Sequence, residues 1–293
     1  MYDRKPKKKS INGKSFRSDD KPQKINKRIH TEISSDYSEN AVFGRNPVIE
    51  LLRSERTVDK LFVLKGDREG SISKIISMAK EKHIVVVEAE RAKLDKMSGN
   101  GNHQGVLALT TEFSYCEVED ILANAEEKGE KPLIIIIDGI NDPGNLGAII
   151  RTANASGVHG IILPKRGSCG MTSAVFKSAA GACEYVKIAR VVNINDTIKF
   201  LKDQGVWIYG TDGSGSDELY STDLTGSAAI VLGDEGKGIS RLTRENCDYL
   251  MKIPMKGEIT SLNISVAGAL SMYEALRQRN IKDAMSGGSG SNE

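Results

Sequence analysis

Cysteine is scarce in this 293-residue chain: four residues, at positions 116, 169, 183 and 247, with no C-x-x-C pair and no histidine at zinc-ligand spacing. That excludes a disulfide scaffold and a zinc ribbon, and leaves reduced, mostly buried thiols in a cytosolic protein as the expectation. Long apolar runs are also missing. No purely aliphatic run exceeds five residues, as in Leu133 to Ile137, where about 20 would be needed to span a bilayer. The charged N-terminus is not followed by an apolar stretch, so the sequence shows no secretion signal and no membrane partner. The hydrophobic fraction of 39% is lean, yet enough for a core.

The net charge of +2 hides an asymmetry. Residues 1–30 carry eleven Lys and Arg against three Asp, a local balance of +8 that leaves −6 for the remainder. With almost no apolar periodicity, residues 1–40 are expected to form a disordered basic arm, which can meet nucleic acid through its phosphates or act as a solubilising tail. The end of the chain, residues 282–293, reads as a flexible tail.

Between these ends the pattern alternates. In residues 41–116 Asn46-Pro47 opens a helix with Val48, Leu51 and Leu52 as its apolar stripe. KLFVL and IVVVEAE read as strands flanking the helix SISKIISMAKEK, and VLALTTEF is a further strand. Residues 117–131 form a helix and linker. From Pro132 the elements lengthen, and PLIIIID has the continuous β-branched character of a strand buried on both faces. Repeated β–α–β units follow to a long closing helix, SLNISVAGALSMYEALRQR, so the fold class is α/β with a mostly parallel sheet.

Ligands of such sheets bind in loops at the carboxyl ends of strands. Three loops qualify: DGINDPGNLGAIIR (138–151), IVLGDEGKGIS (230–240) and IPMKGEITSLNIS (253–265). The glycines of loop 230–240 suggest a phosphate cradle, but its spacing fails the test. Gly238 stands where the magnesium-binding hydroxyl must follow the lysine, and Asp234 and Glu235 would repel phosphate. The glycines at 139, 144 and 147 do not fit the dinucleotide spacing either. Asn145 stands where an asparagine caps the following helix. Arg151 falls on that helix's polar face with Gly147 and Asn154, opposite Leu146, Ile149, Ile150 and Ala153.

NDPGNLGAIIRTA, IVLGDEGKGISRLTRENCD and IPMKGEITSLNISVAGALSMYEALRQR resemble, in order and spacing, the three motifs of the SpoU/TrmH family of the SPOUT superfamily. These are RNA ribose 2′-O-methyltransferases that use S-adenosylmethionine. The segment 41–116, with GRNPV and the HQGV turn, resembles the L30e-like substrate-binding domain of the RlmB-type 23S rRNA guanosine methyltransferases. The resemblance implies a C-terminal trefoil knot within a methyltransferase domain over residues 132–281, a homodimer, a cytoplasmic location, and no metal. It implies cofactor contacts, mainly main-chain, at Gly233, Ile253 and Leu262. Arg151 is implied as the central catalytic residue, aided by Asn145, Glu235, Ser261 and Asn263. A guanidinium is too hard to deprotonate to serve as a free base; gripping a phosphate and polarising the 2′-hydroxyl suits it. The implied partner is 23S rRNA or a large-subunit precursor. A tRNA ribose methyltransferase and a non-catalytic RNA-binding or ribosome-assembly protein are the alternatives.

Overall fold

In the computed structural model, which describes residues 40–234 and 236–287, the chain first lays down a four-stranded sheet. Its strands β1 (Ala41–Phe43), β2 (Val58–Leu64), β3 (Val85–Ala89) and β4 (Val106–Thr110) are ordered β1-β4-β2-β3. β4 runs antiparallel to both neighbours, and β2 and β3 are parallel. Three helices join them: α1 (Arg45–Arg53), α2 (Ser71–Glu81) and α3 (Arg91–Met97). The start of α1 corrects the expectation from sequence. Asn46 lies inside the helix, and no side chain of the local segment caps it. The cap comes from afar, because Gln104 Oε1 accepts the Arg45 N–H at 2.9 Å. The helix stripe is as expected, with Val48, Leu51 and Leu52 buried.

The second lobe follows α4 (Val118–Glu127), whose first turn carries a capping box between Glu117 and Asp120. Strands β5 (Leu133–Ile137), β6 (Gly160–Pro164), β7 (Lys187–Val191), β8 (Trp207–Thr211), β9 (Asp217–Glu218), β10 (Ala228–Leu232) and β11 (Tyr249–Lys252) form one sheet, ordered β7-β6-β5-β10-β8-β11-β9. Every pairing in it is parallel. The helices are α5 (Pro143–Ala155), α6 (Ser173–Ser178), α7 (Ile194–Asp203), α8 (Arg241–Asn246) and α9 (Ile264–Gly287), with 3-10 turns at Ala182–Glu184 and Leu219–Ser221. The trefoil expected from the resemblance fits this order, in which β10 enters between β5 and β8, both earlier in the chain.

β5 shows why the sheet is covered on both sides. Its odd residues, Leu133, Ile135 and Ile137, share a core with Leu146, Ile149 and Ile150 of α5 and Met272 of α9. Its even residues, Ile134 and Ile136, pack with Ile121 of α4 and Ile198 and Leu201 of α7. The first of these cores also takes in Val42, Val48, Leu51 and Leu61 of the first lobe. The apolar interior is therefore continuous across the two lobes.

Helix α9 runs through Gly287, past Arg279 where the apolar pattern suggests its end. The expected basic arm lies outside the described residues except for Asn40, whose carbonyl accepts the Thr110 N–H; residues 288–293 of the expected tail also lie outside them. All four cysteines are free. Cys183 alone is fully buried and the others are half-buried, fewer than expected. Burial pushes the Cys247 thiol up to about 12. Among the described residues no helix is long and apolar enough to cross a membrane.

Candidate active site

The first loop leaves β5 at Asp138. Its carboxylate ties this loop to the second: Oδ2 accepts the Ser240 N–H at 2.6 Å and Oδ1 accepts the Thr243 hydroxyl at 3.0 Å. Helix α5 then begins with Asp142 as its N-cap, whose Oδ2 accepts the Asn145 N–H at 2.9 Å, and with Pro143 at the first helical position. This corrects the expectation for Asn145, which is the third residue of the helix and carries no capping duty. Two turns on, Arg151 is exposed and makes no hydrogen bond or ion pair among the described residues. Gly147 does not share its polar face. It is buried, and a Cβ there would overlap Ser178 Cβ and lie 2.8 Å from Ala179 N and Val175 O, so α5 and α6 touch at this point.

The second loop is a closed turn. Asp234 and Gly238 exchange backbone hydrogen bonds of 3.0 and 2.8 Å, and Asp234 Oδ1 accepts the Gly236 N–H at 3.0 Å. Gly233 packs against the far side of that turn, where a Cβ would overlap Gly238 and Ile239. Glu235, at its tip, lies outside the described residues.

A further loop, absent from the sequence-based set, joins the group. After β8, Asp212 donates its N–H to Met251 O and pairs its carboxylate with Arg244. Thr211 Oγ1 donates to Val231 O at 2.9 Å. The signal is present in the sequence, since GTDG places an acid at the carboxyl end of a strand, as DGIND and LGDE do.

The third loop follows β11. Ile253 is half-buried against the main core, and Leu262 is half-buried near the loop's end. Asn263, rather than Ser261, caps α9: its Oδ1 accepts the Ser265 N–H at 2.9 Å and the Ser265 hydroxyl at 2.6 Å. Its Nδ2 donates to Asn145 Oδ1 at 3.1 Å, which joins the third loop to the first. Ser261 is exposed two residues earlier. Among the described residues the backbone of 254–262 enters no hydrogen bond.

Asn145 and Asn263 are thus in direct contact. Asp138 donates its N–H to Leu232 O, beside Gly233, and Ile253, Ser261 and Leu262 lie in one connection that follows β11. Arg151 stands apart from them on α5, its guanidinium unbonded among the described residues. In the first lobe a separate groove of about 850 Å³ is lined by Arg45, Asp67, Arg91, Asn100, His103 and Gln104.

An open parallel sheet whose carboxyl-end loops are cross-linked by side chains, fused to a small α/β lobe with its own polar groove, defines a two-lobe α/β protein built to take a ligand at its strand ends. Residues 132–273 match the model of the SpoU rRNA Methylase family, and residues 41–116 match that of RNA 2′-O ribose methyltransferase substrate binding. The candidate TrmH family tRNA/rRNA methyltransferase YacO of Bacillus subtilis (strain 168) is 44% identical over 239 residues, 82% of this chain and 96% of that relative. A candidate TrmH family tRNA/rRNA methyltransferase of Staphylococcus aureus (strain COL) is 40% identical over 241 residues, 82% of this chain and 97% of its own. Among solved structures, the SpoU methyltransferase AviRb from Streptomyces viridochromogenes, in complex with the cofactor AdoMet, superposes with a TM-score of 0.72 at 24% identity, over 87% of this chain and 94% of that one. A candidate RNA methyltransferase of the TrmH family from Porphyromonas gingivalis gives 0.64 at 26% identity, over 84% and 93%. The chain belongs to the TrmH/SpoU family of RNA methyltransferases, in agreement with its three motifs.

Proposed function

We propose that this protein transfers a methyl group from S-adenosylmethionine to a ribose 2′-hydroxyl of RNA, with a guanosine of 23S rRNA as its target. The hydrogen bond between Asn145 and Asn263 carries the reading, since it joins two of the family's motifs at the strand ends where a ligand binds. The residues suit the cofactor. Half-buried Ile253 and Leu262 offer apolar surface, and the main-chain groups of 254–262 offer donors and acceptors beside it. Gly233 keeps the neighbouring turn closed against the same edge. When bound, S-adenosylmethionine supplies an electrophilic methyl on a sulfonium.

The chain's own part is to orient and to polarise. Transfer would leave the cofactor as a neutral thioether, and the hydroxyl would release its proton to water. Arg151, with a guanidinium unspent in any bond among the described residues, grips the phosphate beside the target ribose and draws charge toward it. Asn145 and Asn263 position the sugar, and Glu235 and Ser261 complete the contacts to the substrate. The positive end of the α9 dipole favours negative charge developing on oxygen.

In this reading residues 41–116 anchor RNA, residues 117–131 link the lobes, and residues 132–281 carry the chemistry. The basic N-terminal residues add a salt-dependent attraction to phosphates. A homodimer is supported by an apolar groove of about 750 Å³ between α5 and α9, lined by Ala148, Thr152, Val266, Ala269, Leu270 and Tyr273. The cytoplasm is the compartment the reading implies. The names of the relatives favour tRNA as a second substrate class.

The test is methyl transfer from labelled S-adenosylmethionine to 23S rRNA transcripts and to bulk tRNA, with ribose methylation mapped by nucleotide. A product on a 2′-deoxy target nucleotide would refute the reaction type; methylation of tRNA alone would move the target to the second class.

A further inference from the structure

Two lobes joined by a linker move relative to one another by default, unless their interface is large and apolar. Here an apolar core is shared between the lobes, and polar ties add to it at its rim, three of them through hydrogen bonds among the described residues. Arg56, between α1 and β2, donates to Thr110 Oγ1 at 2.7 Å and Thr111 O at 2.8 Å in its own lobe. The same guanidinium reaches Glu184 Oε1 at 3.4 Å in the second lobe and lies over the Phe176 ring at 4.6 Å. The other oxygen of Glu184 accepts the Ser54 hydroxyl at 3.0 Å. Both charged side chains are largely out of water, at 12% and 6% exposure. Beside this pair the Tyr185 hydroxyl donates to Glu50 Oε2 at 2.6 Å. The third tie is the chain itself, since Cys116 donates its N–H to Ile188 O on edge strand β7 and Tyr115 OH accepts the Met171 N–H.

These ties lead somewhere at both ends. The turn carrying Glu184 and Tyr185 follows α6, and α6 presses on Gly147 while Ser178 Oγ donates to Gly144 O at 2.8 Å. Gly144 and Gly147 bracket Asn145. In the first lobe, α1 carries Glu50 and is followed at once by Ser54 and Arg56, and its first residue, Arg45, lines the polar groove. One short helix, about 13 Å long, thus has the groove at its start and the interlobe lock at its end.

We propose that the Arg56–Glu184 lock makes the two lobes a single ruler, which fixes the distance between RNA held in the Arg45–Gln104 groove and the ribose presented at Asn145. This rests on the RNA-methylation reading above. It names the substrate class as folded RNA that offers an anchoring element and a target nucleotide at one set separation, in preference to a short single strand. Arg56 and Glu184 are positioning residues: they set one lobe against the other and touch neither the groove nor the strand-end loops.

The test uses full-length Arg56→Ala, Glu184→Ala and Arg56→Lys. Each is assayed on the folded transcript that the wild type methylates and on a short oligonucleotide spanning the methylated nucleotide. A small misplacement of reacting groups costs about a hundredfold, so kcat/KM on the folded transcript is expected to fall at least about tenfold in the alanine variants. Their slower rate on the oligonucleotide and their calorimetric affinity for S-adenosylmethionine stay at wild-type values. Arg56→Lys keeps the charge without the planar stack and falls between. Solution X-ray scattering should show a larger radius of gyration for the alanine variants; an unchanged radius overturns the lock. Equal losses on both RNAs, or none on either, overturn the ruler. If Arg56→Ala fails to fold, Tyr185→Phe, which removes only one exposed hydrogen bond, carries the same comparison with a smaller effect. A wild type that methylates no RNA would end the functional reading, while scattering still decides the lock.

Discussion

Asn263 Nδ2 donates to Asn145 Oδ1 at 3.1 Å across 118 residues of chain, while Asn263 Oδ1 caps α9 through the Ser265 N–H. One amide therefore holds a helix in place with its oxygen and a second loop with its nitrogen. The two duties can be separated by substitution. Asn263→Asp keeps the cap and loses the donor, so stability to urea is expected to hold while methyl transfer drops. Asn263→Ala loses both, with a stability cost of about 1 kcal/mol. Equal activity in Asn263→Asp and wild type would remove the nitrogen from the mechanism.

Arg151 offers the converse case, an arginine whose guanidinium holds no partner among the described residues. Its side chain is exposed. Arg151→Ala should leave stability within about 0.5 kcal/mol, as surface substitutions do. Turnover should nearly vanish while the affinity for S-adenosylmethionine persists. Calorimetry and a single-turnover assay together check this, and near-normal turnover contradicts the assignment.

Gly147→Ala probes the contact between α5 and α6. The added methyl has no room against Ser178, Ala179 and Val175. Overpacking of this kind costs roughly 1–3 kcal/mol. The helix that shifts to relieve it carries Asn145 and Arg151, so lost activity should accompany the lower denaturation midpoint. A stable, fully active variant would show that α6 yields instead.

His159 predicts a pH dependence. The ring is fully buried, Nδ1 accepts the Leu133 N–H at 3.0 Å, and Glu130 Oε2 lies 3.1 Å from Nε2. Burial lowers its pKa from 6.5; Glu130 opposes that shift, and Lys128 and Arg279 add to it. The unfolded chain then binds the proton more readily than the folded one. Stability from this group is present above the unfolded pKa and is lost as pH falls below about 6.5 toward the lower folded value. His159→Gln should flatten the stability profile over that window, measured by urea midpoints from neutral pH downward. An unchanged slope would refute the linkage.

Much of this architecture is legible along the chain, because β5 is a run of five buried residues and the helices carry regular apolar stripes. What escapes is set by distant partners. Asn46 has the local pattern of a cap, but Gln104 arrives from another loop to take that place. Asn145 has it too, although Asp142 followed by Pro143 is the better local signal. Periodicity puts Gly147 on a polar face because it does not report which helix lies alongside. The turn at Ala182–Glu184 has no pattern of its own, and its value lies in contacts with α1. Among the site residues, motif spacing finds Asn145 and Asn263 but does not foresee their hydrogen bond, and it overlooks Asp138 and Asp212, which knit the loops together.

The central place of β10 in the large sheet has a consequence for synthesis on the ribosome. Leu133 pairs with Ala228 and Ile137 with Leu232, so β5 waits with an open edge until a segment 95 residues further on emerges. Pairings this remote slow folding and leave strands able to recruit foreign chains in the meantime. A nascent polypeptide halted before Ala228 should therefore depend on chaperones far more than the finished molecule does.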